Sequence, residues 1–190
     1  MQAPTKTYYS PEEYLTLEVE AEQKNEYLAG QIIPMAGAKV NYNKISLNLS
    51  STLNFALRST TYEVFMSDLR LWIPDCSLYT YPDVMIVNTP IIYAENRTDT
   101  VTNPIAIAEI LSDSTEKYDR GDKFRMYRTI PDFKEYLLIS QTSMQVEKFT
   151  KNESDRWFLS EYERKDSKIT FESFQFEITL DELYDRVELN

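Results

Sequence analysis

The chain has no histidine, one cysteine and only 3 glycines among its 190 residues. Without histidine, every mechanism that needs an imidazole is excluded. The lone Cys76 excludes an internal disulfide framework and a cysteine-based zinc site, and it suits a reducing compartment. The scarcity of glycine argues against a glycine-rich phosphate loop or a flexible linker.

Basic residues are also in deficit. There are 20 Lys and Arg against 31 Asp and Glu, which gives a net charge of -11. This charge opposes broad attraction to nucleic acid or anionic membranes, so any nucleic-acid surface must be local. No apolar run is long enough to span a bilayer, and Met1 to Ser10 lack the features of a signal peptide. We therefore expect a soluble, cytoplasmic protein without a membrane partner.

The length and composition favour one folded domain. A chain of 190 residues with 42% hydrophobic residues is large enough to bury one substantial core. We expect a single domain over residues 1–190.

Local patterns predict four helices. Ser10-Pro11-Glu12-Glu13 and Thr179-Leu180-Asp181-Glu182 are capping boxes, which predict helices running to about Glu22 and about Val187. Apolar residues at helical spacing predict a long helix from Val40 to about Leu57. Another helix is expected from about Arg120 to Thr129.

Two nearly continuous apolar runs, Tyr81–Val87 and Ile105–Leu111, are typical of strands covered on both faces and are therefore expected at the centre of a sheet. Further strands are expected around a glycine-marked turn at Glu26–Met35 and in a meander of Glu135–Ser140, Met144–Thr150 and Arg156–Glu163. A strand over Tyr62–Ile73 is expected to be interrupted near Ser67-Asp68, and its core-facing positions are Val64, Met66, Leu69 and Leu71. The sequence thus predicts an α/β (α+β) fold: a mixed central sheet flanked by helices, with an antiparallel C-terminal meander. Because that C-terminal region is rich in aromatic residues, we expect a homodimer.

Two acids interrupt the central apolar strands. Asp83 opens one strand and Glu109 lies within the other, so adjacent pairing would bring their carboxylates together. A buried carboxylate costs several kcal/mol unless a cation or strong donors lie beside it. Hard oxygen ligands suit Mg²⁺ or Mn²⁺, and the backbone carbonyl of Ile110 is a further candidate ligand.

Lys123, on the helix that follows, is the candidate amine of this site. A lysine beside a metal can orient or help deprotonate the attacking water, and it can stabilise charge on a phosphate. The same three residues also fit a purely structural ion pair, and their spacing does not separate the two interpretations.

Several segments carry a resemblance to a known family. Pro82-Asp83 followed by a strand glutamate resembles the PD-(D/E)XK nuclease superfamily. Over nearly its whole length the chain is similar to the Uma-two family of restriction-endonuclease-like bacterial proteins. The segments that carry this likeness are Tyr9–Leu15, Glu26–Ile32, Ser67–Arg70, Tyr81–Val84, Asn103–Ser112, Tyr118–Lys123 and Tyr136–Ser140.

This resemblance implies a restriction-endonuclease-like fold and a metal-dependent DNase, with Asp83, Glu109 and Lys123 as catalytic residues. It also implies that Glu26 holds metal through water; otherwise Glu26 is a surface acid near a turn. The chain departs from the superfamily in having Leu111 where lysine usually stands, and from related sequences in having Tyr42 where histidine is frequent.

The leading hypothesis is therefore a Mg²⁺- or Mn²⁺-dependent endonuclease acting on DNA. The net charge and the displaced lysine favour an alternative, a catalytically silent module that binds nucleic acid or protein. A structural or assembly protein that oligomerises through its aromatic strands is a third possibility.

Overall fold

The computed structural model describes residues 8–189. The prediction that Met1 to Ser10 is not a signal peptide therefore falls mostly on residues outside the described range. Helices form where the caps and apolar spacing predict them, and the Ser10–Glu13 capping box is present. The helical elements are α1 (Pro11–Glu20), α2 (Val40–Ala56), α3 (Glu116–Tyr118), a π-helical turn (Asp119–Lys123), α4 (Phe124–Tyr127) and α5 (Leu180–Leu183).

The strands form two sheets and a separate hairpin. The strands are β1 (Asn25–Leu28), β2 (Gln31–Pro34), β3 (Tyr62–Met66), β4 (Arg70–Ile73), β5 (Leu78–Thr80), β6 (Val84–Asn88), β7 (Thr100–Val101), β8 (Pro104–Leu111), β9 (Glu135–Ser140), β10 (Val146–Lys151), β11 (Trp157–Tyr162), β12 (Lys168–Phe171) and β13 (Phe176–Thr179). A five-stranded sheet has the order β2-β1-β5-β4-β7, and a six-stranded sheet has the order β11-β10-β9-β8-β6-β3. Strands β12 and β13 pair only with each other.

The centre of the six-stranded sheet confirms the predicted mixed architecture. Strand β8 pairs antiparallel with β6 and parallel with β9, and all its residues are buried. Both faces of this strand are covered, which explains its almost uninterrupted apolar sequence.

Helix α2 covers one face of this sheet. Its Ile45, Leu49 and Leu53 are fully buried and pack with residues of β6, β8, β9 and the β12–β13 hairpin. A second core lies on the opposite face, where Met85 and Ile107 meet Leu71 of the five-stranded sheet. No helix within residues 8–189 has the length and apolarity that a bilayer crossing requires.

The predicted strand Tyr62–Ile73 is two strands that belong to different sheets. The expected interruption near Ser67-Asp68 is where β3 ends and the chain crosses to β4. Leu71 is buried as predicted, but Met66 is 41% exposed, which corrects its expected core position. Because β3 is an edge strand, an apolar residue at its end is only partly covered.

Two other predicted boundaries shift near the candidate site. The expected strand Tyr81–Val87 is divided, because Tyr81, Pro82 and Asp83 connect β5 to β6. The helix expected from Arg120 begins earlier, at Glu116, and contains the π-helical turn. Both shifts place the chemically important residues at the ends of regular elements.

The C-terminal meander forms as predicted and extends the six-stranded sheet through β10 and β11. Its aromatic residues do not form one surface. Phe171, Phe174 and Phe176 are buried in the core, whereas Phe158 on the edge strand β11 is 55% exposed. These three phenylalanines therefore contribute to the core and are not available for a dimer interface.

A buried ion pair fastens the hairpin to the sheet. Lys148 Nζ of β10 lies 2.7 Å from Glu135 Oε1 of β9, and the two side chains are only 2% and 0% exposed. Glu135 also accepts hydrogen bonds from the backbone N–H groups of Glu172 and Ser173, and Lys148 donates to the carbonyl of Thr170. The pair therefore links the loop of the hairpin to the main sheet.

Candidate active site

Asp83 and Glu109 face each other across two neighbouring strands. The β6–β8 register pairs Val84 with Ala108, and one step further along it sets Asp83 opposite Glu109. The backbone N–H of Asp83 donates to Glu109 Oε2 at 3.3 Å, and both residues are buried. The predicted convergence of these two carboxylates is what the structure shows.

Asp83 is held by one backbone group and one phenol. Its Oδ2 accepts the N–H of Ile110 at 2.7 Å, and its Oδ1 accepts the hydroxyl of Tyr42 at 2.5 Å. Tyr42 lies in the first turns of α2, so that helix both covers the sheet and supports the site. The position that often holds histidine in related sequences therefore contacts the site through a hydroxyl.

Lys123 reaches the two acids from the helix that follows β8. Its Nζ is 3.0 Å from Glu109 Oε1, 3.2 Å from Glu26 Oε1 and 3.5 Å from Asp119 Oδ1, and its side chain is 7% exposed. It is the last residue of the π-helical turn, a form of helix that occurs frequently at functional sites. The structure thus brings Lys123 from the following helix to the acid of β8, whereas Leu111 is buried in the second core.

Glu26 belongs to this cluster and is not a surface acid. It lies in β1 of the five-stranded sheet and is 7% exposed. Its Oε1 accepts the hydroxyl of Thr80 and contacts Lys123. The cluster therefore spans the junction of the two sheets.

Two further residues belong to the cluster: the sequence assigns no site role to Asp119, and the position of Tyr127 one helical turn beyond Lys123 fits either lining of the cleft or packing. Asp119 is 3% exposed and lies one helical turn before Lys123, a spacing that could have suggested their contact. Tyr127, which the sequence does not distinguish from a packing residue, donates its hydroxyl to Glu109 Oε1 at 2.6 Å.

The cluster places four carboxyl groups, those of Glu26, Asp83, Glu109 and Asp119, around one amine, that of Lys123. Burial raises the pKa values of Asp83 and Asp119, and it raises that of Glu109 to about 8, with Lys123 opposing the shift and Asp83 adding to it. Burial alone would lower the pKa of the Lys123 ammonium, but the neighbouring acids, Glu109 foremost, raise it well above its usual value. Lys123 is therefore an ammonium ion, and burial favours the protonated forms of the acids around it.

The raised pKa of Glu109 predicts a pH-dependent stability of the metal-free protein. The folded state keeps the Glu109 proton up to about pH 8, whereas the unfolded state loses it near 4.5. This group's contribution is fully present below pH 4.5 and is lost as the pH rises through 8, with a limiting slope of about 1.4 kcal/mol per pH unit. Glu109→Gln cannot ionise, so the free energy of unfolding in EDTA should fall less from pH 5 to 8 than in the wild type. Equal slopes in the two proteins would contradict this assignment.

The donor set fits a small hard cation. No group of three acids within residues 8–189 is arranged to hold a metal, but Mg²⁺ needs only one or two protein carboxylates and keeps several waters. Asp83 and Glu109 supply that pair. If the β6–β8 register is extended, Pro82 lies opposite Ile110. Proline has no N–H group, so Pro82 cannot donate a hydrogen bond to the Ile110 carbonyl. This carbonyl therefore stays a candidate metal ligand.

The fold is similar to that of a solved protein. A crystal structure described as a putative nuclease belonging to DUF820, from Anabaena variabilis, matches this chain with a TM-score of 0.75. The match covers 93% of this chain and 98% of that chain at 18% sequence identity, so it establishes the likeness of the fold.

The chain belongs to the Uma2 (Uma-two) family, which is described as "Putative restriction endonuclease" and whose profile matches residues 11–182. Two uncharacterized proteins of Synechocystis are similar to it. One is 43% identical over 159 residues, covering 84% of this chain and 90% of the relative, and the other is 37% identical over 175 residues, covering 92% and 90%. The restriction-endonuclease-like family expected from the sequence is confirmed.

Proposed function

We propose that this protein is a metal-dependent endonuclease that hydrolyses DNA phosphodiester bonds. The observation that carries the proposal is the convergence of Asp83, Glu109 and Lys123, with Lys123 Nζ 3.0 Å from Glu109 Oε1 in a buried acidic cluster. Full ionisation of these buried carboxyl groups beside one ammonium is costly, and a divalent cation would offset that cost. Membership in a restriction-endonuclease-like family supports the same activity.

Asp83, Glu109 and the carbonyl of Ile110 would hold Mg²⁺ or Mn²⁺. The bound ion would supply Lewis-acid stabilisation of the phosphate and lower the pKa of a bound water. Lys123, as an ammonium, offsets the negative charge that develops on the phosphate through its own positive charge, and it does not act as the base.

Glu26 is the acid best placed to accept the proton of the attacking water. Its Oε1 contacts Thr80 and Lys123, and within residues 8–189 its Oε2 has no hydrogen-bond partner. In the proposed step the water oxygen bonds to phosphorus, its proton passes to Glu26 and one bridging P–O bond breaks. The departing oxygen then takes a proton from the solvent.

DNA as substrate and a homodimer as the working form remain predictions. The exposed apolar Phe158 and Leu159 on the unpaired edge of β11 support self-association, and two copies would present one site to each strand of a duplex. The mass of the protein in solution tests the dimer directly.

Cleavage of DNA by wild-type protein and by Asp83→Asn tests the proposal. The wild type should cleave in Mg²⁺ or Mn²⁺ and lose activity in EDTA. Asp83→Asn keeps the shape of the side chain but removes the charge, so we expect cleavage to fall by about 10²- to 10³-fold. The measurement is the rate of product formation on plasmid and oligonucleotide substrates.

Asp122→Asn is the matched control. Asp122 lies next to Lys123 in sequence, but its side chain is 67% exposed and pairs with Arg125 on the surface. This variant should cleave at the wild-type rate. If Asp83→Asn also cleaves at that rate, the proposed site is wrong. If the wild type binds DNA without cleaving it in either metal, the silent binding module is the better description.

A further inference from the structure

The hydrogen-bond donors of the candidate site are almost all committed to its own acids. The hydroxyls of Tyr42, Tyr127 and Thr80 donate to Asp83, Glu109 and Glu26 respectively. Lys123 Nζ has three carboxylates within 3.5 Å, as many as it has hydrogens. A phosphodiester, which can only accept hydrogen bonds, would find these donors already engaged.

Tyr118 is the exception. Its side chain is half-buried, and its hydroxyl is buried without a hydrogen-bond partner among the described residues. The Tyr118 ring lies 5.8 Å from Lys123 Nζ, which places it beside the cluster. A buried hydroxyl without a partner is uncommon in folded proteins and often marks a site for water, an ion or a ligand.

The surroundings of Tyr118 keep its hydroxyl protonated. Burial raises its pKa above the usual value for a phenol, and among the charged groups Glu26 adds most to the shift. Tyr118 is therefore a neutral donor at physiological pH, close to the acid that we assign as the proton acceptor.

We propose that the Tyr118 hydroxyl donates a hydrogen bond to a non-bridging oxygen of the scissile phosphate. The proposal rests on the proposed nuclease function and adds a substrate-contacting catalytic residue to it. A phosphate bound among these acids needs a hydrogen-bond donor that is not already bonded to a carboxylate, and the Tyr118 hydroxyl is such a donor. The Tyr118 ring lies 5.8 Å from Lys123 Nζ, so the donor belongs to the neighbourhood of the proposed metal ligands.

The same arrangement has a consequence for the free protein. Burying a hydroxyl without a partner opposes folding, so removal of that oxygen should stabilise the protein in the absence of substrate. This gain follows from the missing partner alone, so DNA cleavage and DNA binding are the measurements that test the contact with the phosphate.

Tyr118→Phe tests the assignment, because it removes the hydroxyl and keeps the ring against Lys123. We expect kcat for DNA cleavage to fall by about 10- to 100-fold, since a hydrogen bond to a charged group is lost. The midpoint of thermal unfolding without metal or DNA should rise. Tyr62→Phe is the matched control: Tyr62 is also half-buried, but its hydroxyl donates to the Ser173 carbonyl at 2.8 Å, away from the site. That variant should keep full activity and unfold at a slightly lower temperature.

A phosphorothioate oligonucleotide separates contact with the phosphate from contact with water. Sulfur accepts hydrogen bonds poorly, so the wild type should cleave one of the two sulfur diastereomers more slowly than the oxygen substrate. Tyr118→Phe should lose part of that difference, because the contact is already absent. An unchanged oxygen-to-sulfur ratio would assign the hydroxyl to water alone and overturn the proposal.

Duplex binding in Ca²⁺, followed by fluorescence anisotropy, gives a readout that does not depend on cleavage. Tyr118→Phe should bind several-fold more weakly than the wild type. If the wild type cleaves and Tyr118→Phe matches it in both rate and binding, the Tyr118 contact is wrong while the nuclease function stands. If the wild type only binds, and Tyr118→Phe binds more weakly, hydrolysis is wrong while the phosphate contact stands. A wild type that neither binds nor cleaves DNA overturns both.

Discussion

Lys123→Met is expected to destabilise the metal-free protein by about 3–5 kcal/mol and to reduce DNA cleavage by about 10²- to 10⁴-fold. The side chain is 7% exposed and is the cation that touches Glu26, Glu109 and Asp119. Methionine fills a similar volume but leaves these buried acids without their counterion. Stability and activity should therefore be lost together.

Denaturant unfolding in EDTA and in Mg²⁺ measures the stability effect. The acids of Lys123→Met should bind a divalent cation more strongly, so Mg²⁺ should stabilise this variant more than the wild type. Lys168→Met is the control, because the Lys168–Glu177 pair is more than half exposed and such surface pairs contribute at most about 1 kcal/mol. An Lys123→Met protein that is as stable as the wild type in EDTA would show that the cluster needs no internal cation.

Lys148→Met is expected to destabilise the fold by about 3–5 kcal/mol without changing the chemistry of the site. The change leaves Glu135 charged and buried, with its side chain at 0% exposure. The hairpin of β12 and β13 should detach first, because Lys148 and Glu135 are bonded to its backbone.

A second variant shows whether Lys148→Met loses stability because Glu135 is left as an unpaired charge or because the contacts of the Lys148 side chain are lost. Glu135→Gln/Lys148→Met removes both charges but keeps an acceptor for the N–H groups of the hairpin loop. Its free energy of unfolding should lie well above that of Lys148→Met. If the double variant is less stable than Lys148→Met, the unpaired charge of Glu135 is not the cause of the destabilisation. The direct contacts of Lys148 would then be the larger contribution to stability. Hydrogen exchange of the hairpin amides locates the effect.

The helices and strands were predicted correctly where the pattern of neighbouring residues was strong. The capping box at Ser10 and the helical apolar spacing of α2 depend on neighbours in sequence, and both appear as expected. The continuous apolar run of β8 correctly placed it at the centre of the sheet. The division of Tyr62–Ile73 between two sheets was missed, because a crossover depends on partners that are distant in the chain.

For the candidate site, the sequence predicted the convergence of Asp83, Glu109 and Lys123, left Tyr127 open between lining the cleft and packing, and did not predict the part of Asp119. Acids inside apolar strands are conspicuous because their burial is costly. A tyrosine or an acid on a helix is ordinary at the surface, and only its orientation in the fold shows that it faces other charges.

The amino-acid sequence by itself determined which mechanisms are excluded, where the main helices and central strands form, and which two strand acids need a cation. Composition and nearest-neighbour pattern suffice for these, since they depend on backbone geometry and the cost of burial. Only the tertiary structure decided that Glu26 and Asp119 join those acids, that Lys123 contacts them from the following helix, and that the Tyr118 hydroxyl has no partner within residues 8–189. These contacts join residues from two sheets and a helix, and their energies depend on distance and burial, which the order of residues alone does not specify.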